Sequence, residues 1–210
     1  MNSCHGSRHS TLNLLNILPH YMLIYLHGFN SSPASHKANL LRDYMAARGA
    51  ADQFVCPTLP HWPKEAIAQV EKLIAQYLDQ NITLIGSSLG GFYAIYLAEK
   101  YNLKAVLVNP AVKPAASLES YLGAQTNIYT KEKYLFTREH IRQLGDLNVR
   151  TITHPERYLL LTQTGDEVLD YREAVKKMQG AQQIVIEGGD HGFQNFSSYL
   201  DTILSFSLSK

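Results

Sequence analysis

The stretch Gly86-Ser87-Ser88-Leu89-Gly90 constrains this chain more than any other part of it. Before it stands Asn81-Ile82-Thr83-Leu84-Ile85, short, apolar and partly β-branched, which reads as a buried parallel strand. After it, Gly91 to Ala98 places apolar residues at helical spacing. A G-x-S-x-G motif occurs by chance in flexible loops, so its meaning here comes from those flanks. Between a strand and a helix it is an elbow too tight for Cβ atoms to pass, and glycines are required two before and two after the central serine. The turn lifts the Ser88 hydroxyl clear of the backbone. It also leaves the Leu89 amide, at a helix N-terminus, free to bind a developing oxyanion.

The rest of the chain supplies the sheet that such an elbow needs. From Met22 the pattern is strand, loop, helix, repeated. Strands are expected over Leu23–Leu26, near Gln53–Pro57, before the elbow, and over Ala105–Val108, Tyr158–Thr162 and Gln182–Ile186. Helices are expected from near Ser35, over Lys64–Leu78, Leu89–Tyr101 and Tyr171–Gln179, and from Phe193 to Ser205. Near-continuous apolar strands separated by helices mean a parallel sheet covered on both faces. From Pro114 to Pro155 the rhythm breaks into a polar, tyrosine-rich stretch with a helical hint over Thr137–Leu144 and no clear strand, read as a small lid.

With 210 residues the chain suits one domain, and its formal net charge of +1 has no basic face that would point to nucleic acid. No apolar stretch reaches the roughly 20 residues of a membrane span. Cys4 and Cys56 lie far apart and fit reduced thiols and a cytoplasmic setting. Residues 1–21 are too polar for a secretory leader and read as an N-terminal extension, loose or preceding a start at Met22.

A serine hydroxyl becomes a nucleophile only when a neutral imidazole takes its proton and a carboxylate holds that imidazole in the right tautomer. With an elbow, the order along the chain is serine, acid, histidine. Of the nine histidines, His191 alone lies between the last strand and the last helix, in Gly188-Gly189-Asp190-His191-Gly192. The loop Gln163 to Tyr171 offers Asp166, Glu167 and Asp170. Asp166, nearest the strand end and following a glycine, is the expected acid. Val168 and Leu169 would then pack inward and Glu167 would face solvent. Asp170 is held in reserve, since it also fits a helix N-cap with Glu173 completing a capping box. Asp190, beside the histidine in sequence, is expected to be structural. The loop after the first strand, His27-Gly28-Phe29, would give the second oxyanion donor from the Phe29 amide, with His27 structural beneath it. Gly28, Phe29, Tyr121 and Tyr129 are the expected substrate contacts, with Leu89 and the lid tyrosines, Tyr134 among them, forming an apolar acyl pocket. Nothing in this chemistry calls for a metal or an organic cofactor.

Five blocks together resemble the YqiA/YcfP-type (UPF0227-like) esterases, a branch of the α/β-hydrolase superfamily: Leu26 to Pro33, Gly86 to Gly91, Val108 to Val112, Gln163 to Tyr171 and Ile186 to His191. The resemblance runs from Met22 to near the C-terminus. It departs at the N-terminal extension, and at Asp190 and Gly192, where asparagine and alanine are common. It implies an α/β-hydrolase with a six-stranded, mainly parallel sheet in the order 2-1-3-4-5-6 and a small lid over about 114–155. It further implies hydrolysis of carboxylic esters or acyl thioesters by Ser88, Asp166 and His191. A monomer or a homodimer is expected, the exposed lid tyrosines also suiting a dimer contact. The alternatives are peptide or carbon–carbon bond hydrolysis, acyl transfer, or a binding protein without turnover.

Overall fold

The computed structural model describes residues 21–209. The expectations for the N-terminal extension and for Cys4 lie outside these residues, except at Tyr21, which opens the first strand.

Strand β1 (Tyr21–Leu26) leads into α1 (His36–Ala47), then β2 (Phe54–Val55), α2 (Pro63–Gln76), β3 (Asn81–Ser87), α3 (Leu89–Tyr101) and β4 (Lys104–Val108). An inserted segment follows, with α4 (Pro114–Ser117), β5 (Gly123–Thr126), β6 (Lys133–Phe136) and α5 (Arg138–Asp146). The sheet resumes with β7 (Tyr158–Gln163), α6 (Tyr171–Lys177), β8 (Gln182–Ile186) and α7 (Leu200–Leu208). The six-stranded sheet has the order β2-β1-β3-β4-β7-β8, with every neighbouring pair parallel. With the two strands of the inserted segment left out of the count, this is the expected order, and the class is α/β.

Period-two alternation in β1 feeds two cores. Met22, Ile24 and Leu26 pack with α2, α3 and the inserted segment, whereas Tyr21, Leu23 and Tyr25 pack with α1 and α7. Both faces are therefore dry, which is why the strands read as continuous apolar runs. All strands being parallel, the loops after β1, β3, β7 and β8 leave the same edge of the sheet, where sites in such sheets form.

Several expected boundaries shift. The second strand is two residues long, because Ala51–Gln53 forms a 3-10 turn and Pro57 has no N–H for the ladder. The inserted segment does contain strands: β5 and β6 pair antiparallel, Gly123 opposite Phe136. Four-residue strands at Gly-Ala-Gln-Thr and Lys-Tyr-Leu-Phe are too short and too weakly alternating to show in sequence. The last helix starts at Leu200 rather than Phe193, since Phe193 (φ 61°) and Asn195 (φ 56°) adopt left-handed backbone that no helix continues through.

Candidate active site

Ser88 sits between β3 and α3 with φ 55° and ψ −121°, a left-handed conformation that costs a residue with a Cβ of order 1–3 kcal/mol unless its surroundings hold it. They do: the Ser88 amide donates to the Val108 carbonyl (3.1 Å), and the Ser88 carbonyl accepts from Gly91 (2.9 Å) and Ala111 (3.0 Å). The elbow glycines are required by contact. A Cβ on Gly86 would lie 2.3 Å from the Gly90 carbonyl oxygen, and one on Gly90 would lie 2.0 Å from that of Leu26.

The three expected residues meet. His191 Nε2 lies 3.0 Å from Ser88 Oγ, and His191 Nδ1 lies 2.9 and 2.8 Å from the two Asp166 carboxylate oxygens. A carboxylate only accepts, so Nδ1 carries the proton and Nε2 is left to accept from the serine hydroxyl. The Asp166 side chain is 1% exposed. Burial alone would push its carboxyl up; the bonds from His191 and from the Leu169 and Val168 amides outweigh that and hold it below its ordinary value. Asp170, the reserve, caps α6 instead: its carboxylate accepts from the Arg172 amide at 3.0 Å. The expected capping box is absent, because the Glu173 carboxylate accepts from Lys113 Nζ (2.6 Å).

Other side chains build the frame around the histidine. Asn109, at the end of β4 and buried, donates through Nδ2 to the Asp190 and His191 carbonyls (2.9 and 3.2 Å) and accepts at Oδ1 from Gln163 N (2.9 Å). Gln163, the last residue of β7, accepts at Oε1 from the Asp190 and Gln194 amides. Gly189 must be glycine, since its Cβ would fall 2.0 Å from that same oxygen. Glu167 is exposed as expected, yet its carboxylate accepts from the His191 amide (3.0 Å), so successive acids grip the ring and the backbone of one residue. Lys37 Nζ donates to the Gly192 carbonyl (2.7 Å), and burial draws its ammonium down against the opposing pull of Asp190 and Asp166. Asp190 has the structural part expected, its Oδ2 accepting from Gln194 Nε2 (2.9 Å). Val168 does not pack inward; it is 51% exposed. Asn109, Gln163 and Lys37 do not stand out in sequence, and Glu167 does so only as a solvent-facing acid. The one available signal is a polar residue closing an apolar strand, as Asn109 and Gln163 both do.

The loop after β1 passes close to Ser88. A Cβ on Gly28 would lie 3.2 Å from Ser88 Cβ. His27 beneath it is buried and neutral: Nδ1–H donates to the Gly28 carbonyl (3.1 Å) and Nε2 accepts from Leu59 N–H (3.1 Å). Phe29 and Leu89 line a cavity of about 40 Å³ with Tyr93, His61 and Tyr134. Of the tyrosines expected at the substrate, Tyr121 packs edge-on against Phe29 (5.5 Å between centroids) outside that lining, and Tyr129 lies half-exposed at the hairpin tip. Of the lid tyrosines, Tyr134 stands in the wall, alongside Tyr93 of α3. The pocket is also less apolar than expected, since Asn30, Asn127 and Glu132 share it. A larger groove of about 740 Å³ runs along α6 and holds none of the three central residues. It is lined by Lys113, Arg150, Arg172, Lys176 and Lys177 against Glu173. Among the described residues no group of three or more His, Cys, Asp and Glu side chains could hold a metal ion, and no helix is long and apolar enough to cross a membrane.

Residues 22–208 match the profile described as Uncharacterised protein family (UPF0227). The chain belongs to this family. Among its relatives, the UPF0227 protein YcfP of Salmonella paratyphi A is 25% identical over 192 residues, which cover 88% of this chain and 98% of that one. Among solved structures, the alpha/beta hydrolase domain-containing protein 10 from mouse superimposes with a TM-score of 0.66 at 15% identity, covering 87% of this chain and 89% of the other. Est1E from Butyrivibrio proteoclasticus with ferulic acid bound gives 0.68 at 14% identity, covering 94% and 93%. The fold is that of the α/β hydrolases.

Proposed function

We propose that this protein is a serine hydrolase that cleaves carboxylic esters through an acyl-enzyme on Ser88. The observation that carries the reading is the unbroken chain Ser88 Oγ, His191 Nε2, His191 Nδ1, Asp166, with every link between 2.8 and 3.0 Å. In the first half-reaction Ser88 Oγ attacks the ester carbonyl while His191 takes its proton. The tetrahedral oxyanion is held by the Phe29 and Leu89 amides, and the same proton passes to the departing alcohol. Water repeats the cycle, releasing the acid. Asp166 stays ionised, steadying the imidazolium. The α/β-hydrolase neighbours support the reading at the level of the fold.

The small cavity beside Phe29 and Leu89 favours short acyl groups. Hydrolysis of p-nitrophenyl esters from acetyl to palmitoyl, on the wild type and Ser88→Ala in parallel, tests both points. Activity on short chains that falls by several orders of magnitude in the variant is the expected result. Equal activity in the two proteins refutes the mechanism, and a palmitoyl optimum refutes the sizing.

A second reading, hydrolysis of an acyl thioester whose carrier bears phosphates, such as coenzyme A, is favoured by the cation-lined groove along α6. Among the described residues Arg150 and Lys176 have no carboxylate partner there. Its lining includes Val112, next to Ala111, whose amide donates to the Ser88 carbonyl. A higher kcat/KM for a short acyl-coenzyme A than for the matching neutral ester, lost in Arg150→Ala/Lys176→Ala, would select it.

A further inference from the structure

The geometry points to Asn30 as a positioning residue through which the lid hairpin β5–β6 sets the orientation of the oxyanion-binding Phe29 amide. The inference rests on the serine-hydrolase reading above and goes beyond it by making the oxyanion hole depend on a segment far away in sequence.

Phe29 and Asn30 are the two central residues of a turn closed by one hydrogen bond, Ser31 N–H to the Gly28 carbonyl, at a long 3.3 Å. Asn30 holds φ 52°, a left-handed value that asparagine tolerates better than most residues, but that a weak turn alone does not fix. What fixes it comes from the lid. Asn30 Nδ2 donates to Gln125 Oε1 on β5 (3.1 Å), and Tyr134 on β6 donates its hydroxyl to Asn30 Oδ1 (2.6 Å). The Asn30 carbonyl accepts from Ile128 N at the hairpin tip (3.2 Å), and the Ser31 carbonyl accepts from Asn127 Nδ2 (2.9 Å). Asn127 is fixed in turn, its Oδ1 accepting from the Tyr129 and Thr130 amides. The preceding ring is packed as well, Phe29 meeting Tyr121 and Phe136 in edge-type contacts at 5.5 and 5.3 Å between centroids.

Both side-chain functions of Asn30 and its carbonyl are thus consumed by the lid. The neighbouring Phe29 amide has no acceptor among the described residues, and Gly28 beside it lies against Ser88, a Cβ there falling 3.2 Å from Ser88 Cβ. An oxyanion donor works only when aimed within a few tenths of an ångström of where the charge develops, so a turn that rocks loses transition-state binding with little loss of ground-state binding. A tether that merely kept the lid in place would instead alter substrate affinity.

Asn30→Gly keeps the left-handed backbone accessible while deleting both side-chain bonds, and Tyr134→Phe deletes one hydroxyl. With p-nitrophenyl butyrate, each is expected to lower kcat 10- to 100-fold, short of the 10²–10³-fold seen when an oxyanion donor is removed outright, with KM within threefold. The two act through one clasp, so the double variant should lose no more than a few-fold beyond the worse single one. Asn30→Asp, which keeps the acceptor for Tyr134, should restore part of kcat. Unchanged kcat in both single variants, or a rise in KM alone, overturns the inference. If Asn30→Gly fails to fold, Tyr134→Phe decides by itself. Ser88→Ala run alongside separates the two levels: an inactive Ser88→Ala beside a fully active Tyr134→Phe removes this inference only, whereas an active Ser88→Ala removes the reading beneath it.

Discussion

Replacing Asp166 by asparagine tests the proposed chemistry through the tautomer of one ring. In the wild type, Asp166 Oδ1 accepts from the Val168 and Leu169 amides at 2.9 and 2.8 Å, and both carboxylate oxygens face His191 Nδ1. An asparagine in the same pose keeps its oxygen on the two amides and turns its NH2 toward Nδ1. Nδ1 must then accept, Nε2 takes the proton, and it can no longer receive one from Ser88 Oγ. The fold is preserved and the base is lost. The same exchange in trypsin-like proteases lowers kcat about 10⁴-fold, which corresponds to between 5 and 6 kcal/mol, roughly, on the barrier. The control is Asp170→Ala, the other acid of this loop. Asp170 only caps α6, so its loss should cost about 1 kcal/mol of stability and leave kcat within twofold. The assay is steady-state hydrolysis of p-nitrophenyl butyrate with thermal melts of all three proteins. An Asp166→Asn variant that keeps a tenth of the wild-type kcat, or an Asp170→Ala variant that loses as much, would show that the imidazole is oriented by something else.

Further outcomes follow from the elbow and the lid. Gly90→Ala would drive a Cβ to 2.0 Å from the Leu26 carbonyl oxygen, a backbone clash that cannot relax, and should destabilise by about 3 kcal/mol or more; an unshifted melting temperature would contradict the packing. His140 is fully buried, stacked 3.7 Å from Trp62, and accepts at Nδ1 from the Thr137 amide. Burial first, and then the neighbouring His61, push its pKa from 6.5 down to about 4. A base whose folded value is depressed contributes its full stability above 6.5 and loses it as pH falls toward 4, here up to about 3 kcal/mol. Glutamine is a standard residue at this helix position, so His140→Gln should flatten that part of the decline. Parallel melting curves for the two proteins from pH 7 to 4.5 would refute the assignment.

How much of this was legible beforehand differs element by element. The elbow was legible because a strand, two obligatory glycines and a helix are all local demands on backbone, and local demands are written in consecutive residues. Ser88, Asp166 and His191 were legible because a parallel sheet sends the loops after β3, β7 and β8 to one edge, so chain order alone predicts who meets. Asp166 was preferred over Asp170 by its place nearest the strand end, and the structure brings it to His191 while Asp170 caps a helix.

The hairpin β5–β6 was not legible. Its strands are four residues each and take their meaning from Phe136 and Tyr134 facing the Phe29 loop while Leu135 stays 62% exposed. Nor was the frame that holds His191. Asn109, Gln163 and Glu167 reach the His191 loop across 82, 27 and 24 positions of chain, through individual hydrogen bonds that impose no periodicity. Sequence by itself determined the fold class and the chain order in which Ser88, Asp166 and His191 come to one sheet edge, because hydrophobic period and tight-turn sterics act between near neighbours. Tertiary structure alone decided which polar side chains hold those residues and how the β5–β6 hairpin grips the loop after β1, because such contacts form only once the sheet has brought distant strand ends together.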